Sequence, residues 1–166
     1  LRWMLEVTRT PMIRPEPDAP ARYRQRHNGL AAYDAWAEHL LRDDAWPAED
    51  EETLRAHHRI HDHAMGGVGV AEARWYGARF LANGVEHFEA GPGRPGTAEH
   101  ILHAAACYMA EHDLMWEVWE LAGGIGNLEA HRYMADPAVR RQMAAIIRQA
   151  RDKDAQAADH IERALG

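Results

Sequence analysis

The sequence predicts an all-α fold, a helical bundle of four to five main helices. Three observations carry this. Ile101, Ala105, Tyr108, His112, Met115, Trp119 and Ala122 follow one another at alternating spacings of four and three. That spacing lines up one stripe of a single helix. Stripes of the same kind recur in the other long segments, and no alternating strand pattern competes with them. At 166 residues the chain is expected to form one domain, residues 1–166, long enough to bury a real core.

The elements follow in order. Residues 1–10 read as a short helix stopped by Pro11. Residues 11–28 carry four prolines and read as an irregular connector. Asn28 is the expected N-cap of a helix over 29–43. Leu30, Tyr33, Ala37, Leu40 and Leu41 form its buried face, with Trp36 on the flank. Trp46-Pro47 breaks the chain. A long helical segment over 50–89 has the stripe Ile60, Ala64, Gly67, Ala71, Ala78, Leu81, Val85 and Phe88, with Trp75 beside it. Gly66, Gly67 and Gly69 interrupt it, each at up to about 1 kcal/mol against alanine. Either the helix continues with a kink at Gly66–Gly69 or it breaks into two. The apolar phase, preserved across the glycines, favours the kink.

Gly91–Gly96 is a turn rich in glycine and proline. Thr97 is the expected cap of the next helix, which Gly123, Gly124 and Gly126 end. A short helical turn is expected within 127–135. Asp136-Pro137 supplies an N-cap and a first-turn proline for the last helix. Its stripe is Val139, Met143, Ile146, Ala150, Ala157, Ile161 and Ala164. Lys153 and Asp154 fall near this seam where it loses its large residues.

Composition excludes several roles. The net charge of −7 argues against nucleic acid, and Arg22, Arg24 and Arg26 read as a solvated loop. No run of 18 apolar residues is present, so no membrane span is expected. Cys107, the lone cysteine, forms no internal disulfide and suits a reducing, cytoplasmic location. It lacks the cues that activate a thiol and reads as a small buried side chain. The chain starts at Leu1 rather than Met, and we expect it to be the tail of a longer polypeptide.

Histidine is abundant: 12 residues, eight of them between His57 and His112. His57 and His61 lie one turn apart and are the candidate ligand pair for a divalent metal. His58 and His63 add donors on other faces. His100 and His103 are a second pair, with Glu99 one turn before His103. The Glu-x-x-His unit of bundle metal centres is absent, so the metal reading stands as an alternative to histidines lining a wet edge. His112 lies on the apolar seam, either as a satisfied core residue or at a pocket. Its expected partner is Glu72, while Glu111 and Asp113 are expected to face solvent. Glu72, Trp75, Tyr108, His112, Trp116 and Trp119 form the candidate ligand pocket, against the plainer reading that the aromatics are core. The glycine clusters at 66–69 and 123–126 follow no strand, so no phosphate loop is expected.

Four segments carry a resemblance. They are Leu1-Arg-Trp-Met; Asn28-Gly-Leu-Ala-Ala-Tyr-Asp-Ala-Trp36; His61–Ala64 continuing to Glu72-Ala-Arg-Trp-Tyr-Gly-Ala-Arg-Phe-Leu81; and Asp152-Lys-Asp-Ala-Gln-Ala-Ala158. Together they resemble the C-terminal helical region of proteins related to the butirosin-biosynthesis acyltransferase and C39-like cysteine peptidases. The resemblance implies a papain-like half with a Cys–His centre, followed by a helical part that shapes a substrate pocket or a dimer contact. No segment here matches the nucleophile region, so no catalytic residue carries over. The expected function is a non-catalytic helical accessory or small-molecule-binding domain. A histidine-rich metal-binding enzyme and a structural bundle that forms a homodimer are the alternatives.

Overall fold

A computed structural model describes residues 1–10, 27–64, 67–89, 96–124 and 126–166. Its elements are α1 (Arg2–Arg9), α2 (Leu30–Leu40), a 3-10 turn (Asp43–Ala45), α3 (Glu51–Ala64), α4 (Gly67–Glu89), α5 (Thr97–Leu121), a second 3-10 turn (Ala130–Ala135) and α6 (Pro137–Leu165). The described residues contain helices and no strand, as the spacing predicts. Most of the proline-rich connector with its three arginines, and most of the Gly91–Gly96 turn, lie outside the described residues. The segment expected as one kinked helix is described as α3 and α4, and the junction at 65 and 66 also lies outside.

Helix α5 is the central rod. It packs along its length against α4 on one side and α6 on the other, and α2 closes against α6. Covered on two sides, α5 buries a stripe turned slightly from the expected one. Ile101, Ala104, Tyr108, Glu111, Met115, Val118 and Ala122 are all buried, at spacings of three and four. His112 and Trp119 fall on the flank and are half-buried. The last helix keeps its expected stripe, with Met143, Ile146, Ala150, Ala157 and Ile161 buried.

Three cap and face expectations need correction. Asn28 does not cap α2. Its Nδ2 donates to the Val7 carbonyl at 3.0 Å, tying the connector to α1. Gly29 takes the cap position with φ of 54°, and a Cβ there would sit 2.0 Å from the Thr8 carbonyl oxygen. Only glycine accepts both the left-handed backbone and this approach. Thr97 is the first residue of α5, not its cap; Gly96 precedes it. On α2, Trp36 is buried, while Leu41, just past the helix end, is 40% exposed. Asp136 does cap α6, its Oδ1 accepting from the Ala138 amide at 2.7 Å.

The apolar core is divided. One cluster joins Tyr33, Trp36 and Leu40 to Ala71, Met115, Val118, Met143, Ile147 and Ala150. The other joins Ala78, Leu81, Ile101, Tyr108, Ala157 and Ile161, with α1 against it. Between them, on three helices at once, fall Arg74, Glu111 and Asp154.

Candidate functional site

These three residues and Tyr33 form a closed polar layer through the bundle. Arg74 of α4 donates from Nε to Glu111 Oε2 at 2.8 Å, and from Nη2 to Asp154 Oδ2 at 2.9 Å and to Tyr33 Oη at 3.1 Å. The Tyr33 hydroxyl pairs with the other Glu111 oxygen. Both carboxylate side chains are fully buried, whereas Arg74 remains 25% exposed. The Arg74 guanidinium carbon also lies 5.2 Å from the centre of the Tyr108 ring. Gly77 makes room for that ring: a Cβ there would meet Tyr108 Cδ2 at 3.3 Å.

One partly exposed cation faces two carboxyl groups that are themselves shut from water. Burial pushes Glu111 up to about 8 against the pull of Arg74, and raises Asp154 as well. Burial likewise drives the Tyr33 hydroxyl well above its ordinary value. The layer is electrically neutral when one carboxyl keeps its proton, which is the low-cost state of a buried cluster holding a single positive charge.

Glu111 overturns the expectation that it faces solvent. Glu72 is exposed, and His112 Nδ1 donates to the Ala71 carbonyl at 3.0 Å; the expected Glu72–His112 contact does not form. The internal polar lock exists, but one residue earlier on α5 and two later on α4. The spacing rule held the clue, because 101, 104, 108, 111, 115, 118 and 122 also alternate by three and four. The α2 spacing puts Tyr33 on the buried face, and the α6 spacing puts Asp154 near the seam. Arg74 had no distinguishing signal.

The candidate pocket residues separate into three settings. Tyr108 belongs to the core beneath Arg74. Trp75 packs edge-on against Tyr76 with centroids 4.9 Å apart, under the Arg79 guanidinium. His112, Trp116 and Trp119 form an edge-to-face run along α5, with centroids 6.1 and 4.8 Å apart. Trp119 then walls a recess of about 260 Å³, shared with His58, Ala122, Gly124, Gly126, Asn127, Leu128 and Ala130.

His57 and His61 face different partners. His57 Nδ1 pairs with the Ala45 carbonyl, while His61 Nδ1 accepts from Trp36 Nε1 at 3.0 Å. Burial holds the His61 imidazole down at about 3, so it is neutral. Among the described residues, two other groups gather metal-type ligands: His100, His103 and His160, and Glu51, Glu129 and His131. In the second group the carboxylates already pair with Arg55 and Arg132, which makes it an ion-pair network. Burial raises the Cys107 thiol, the opposite of what a nucleophile needs.

Fold and layer together define an all-α bundle with a buried charge layer. Comparison with protein-family models, with curated proteins and with solved structures finds no match to this chain. No helix is long and apolar enough to cross a membrane among the described residues.

Proposed function

We propose that the chain is a non-catalytic helical accessory domain that binds a small, partly aromatic molecule beside Trp119. The recess carries this reading. At 260 Å³ it is smaller than a typical drug-sized site and suits a small fragment, and it combines an aromatic wall with a few polar groups. Trp119 offers the wall, His58 and Asn127 the polar groups, and Gly124 and Gly126 a rim without side chains. The Arg74 layer supports it indirectly by locking α2, α4, α5 and α6 in register, so that α5 presents the wall preformed. The accessory part of the reading rests on the resemblance to the acyltransferase and C39-like relatives, in which a papain-like half performs the chemistry.

A ligand-observed NMR screen with aromatic fragments, indole among them, tests it. Binding is expected, to be lost in Trp119→Ala and kept in Trp75→Ala. No fragment binding, or binding indifferent to Trp119→Ala, overturns the assignment.

A further inference from the structure

We propose that His100, His103 and His160 are the ligands of a divalent transition-metal site at the opposite end of α5 from Trp119. The site is distinct from the proposed recess and does not depend on it. Helix α5 places His100 and His103 three residues apart, on one face. Helix α6 runs antiparallel to it and delivers His160 to that face. One ring nitrogen from each histidine lies within 4.8 Å of the other two. His100 Nδ1 and His160 Nδ1 are 3.3 Å apart.

That last distance is informative. Two nitrogens bound to one zinc at about 2.0–2.1 Å in tetrahedral geometry stand about 3.3–3.4 Å apart. A hydrogen bond between two imidazoles also fits 3.3 Å, but it leaves the third ring unexplained. His103 has its centroid 4.9 Å from His160 at an interplanar angle of 52°, and His100 lies 5.5 Å away at 44°. The three rings are tilted about a common region rather than stacked.

The donor set selects the ion. Three imidazoles suit Zn²⁺ and its neighbours in the transition series, whereas Mg²⁺ and Ca²⁺ need oxygen ligands. Arg163 and Asp159 flank His160 on α6 with opposite charges. His103 is exposed while His100 and His160 are half-buried. An ion therefore has a path in, and a fourth position remains open to water. Bound there, it joins the first turns of α5 to the last turns of α6, close to where Arg9 of α1 pairs with Asp159 and Glu162.

The test uses untagged, metal-stripped protein. Zn²⁺ is titrated in competition with a chromogenic chelator, and Co²⁺ is added separately as a spectroscopic reporter. The expected result is one Zn²⁺ per chain and the intense visible bands of four-coordinate Co²⁺. Both are lost in His160→Ala, and the exposed His103→Ala weakens Zn²⁺ by more than about 100-fold, beyond what loss of an outer hydrogen-bonding partner causes. Circular dichroism checks that each variant stays helical; should His160→Ala unfold, His103→Ala decides alone. His57→Ala keeps full binding. Failure to bind Zn²⁺ stoichiometrically, binding retained in His103→Ala, or binding lost in His57→Ala overturns the site.

Discussion

Two of the polar clusters between the helices, the Arg74 layer and the histidine group, differ in how their members answer one another. In the central layer, Arg74 gives hydrogen bonds to Glu111, Asp154 and Tyr33. Donors meet acceptors, and one positive charge meets one negative charge once a proton is counted. At the far end, His100, His103 and His160 bring together groups of a single kind. Imidazoles crowded on imidazoles gain little from each other and have lone pairs to offer. Charge complementarity marks the first cluster as structural, with Asp154 Oδ1 the one oxygen left without a hydrogen-bond partner. The second is complete only with a partner that accepts electron pairs.

Breaking the central layer should produce the largest effect. Arg74→Met removes the cation that faces both fully buried carboxyl groups. Loss of one partner of such a set costs on the order of 3 kcal/mol, because the charges left behind are uncompensated or must take up protons. Urea denaturation at neutral pH measures it. A loss below 1 kcal/mol means that the layer does not hold the helices together.

The pH dependence follows from two buried groups with opposite shifts. Glu111 keeps its proton up to about 8 in the fold, against an ordinary 4.5. Its contribution is therefore complete below 4.5 and declines as pH rises to 8. His61 is held down to about 3 from 6.5; its contribution is complete above 6.5 and declines as pH falls. Between 4.5 and 6.5 the two slopes oppose each other, and His39, also held below its ordinary value by burial, adds to the rising one. From 6.5 to 8 the histidine slopes have ended and the Glu111 slope amounts to about 2 kcal/mol. Denaturation at a series of pH values should show this fall in the parent and lose it in Glu111→Gln, which mimics the protonated acid. An equal fall in both would remove Glu111 from the account.

Helix positions were legible because the spacing of apolar residues records which face is covered. The α6 stripe and the Asp136 cap were read from sequence and recur in the structure. The site was less legible for a physical reason. A helix covered on one side buries one stripe, and a charged residue next to it belongs in water. Helix α5 is covered on two sides, so Glu111 and His112 exchange roles. The spacing admits Glu111 to a buried stripe as readily as His112; only the presence of Arg74 and Asp154 on neighbouring rods makes its burial tolerable. His160 likewise lies far from His100 and His103 in sequence, and only the antiparallel pairing of α5 with α6 brings it near.

His112 offers a smaller test of the same distinction. Its Nδ1 donates to the Ala71 carbonyl at 3.0 Å, and the ring is half-buried. Removing one neutral hydrogen bond in a partly wet setting costs about 1 kcal/mol. Thermal denaturation of His112→Leu should show a loss of that size, well short of Arg74→Met. A loss matching Arg74→Met would extend the structural layer out to the flank of α5.

The smallest effect belongs to the imidazole cluster, provided that metal is absent. His103 is exposed, and a surface substitution away from a network usually changes stability by no more than about 0.5 kcal/mol. His103→Ala in the presence of a chelator should therefore unfold at the same urea concentration as the parent. Adding Zn²⁺ should then raise the midpoint of the parent and leave the variant behind, because a ligand that binds only the folded chain stabilises it by mass action. If the chelated variant is already much weaker than the parent, the three histidines support the fold by themselves. The contrast with the Arg74 layer would then be lost.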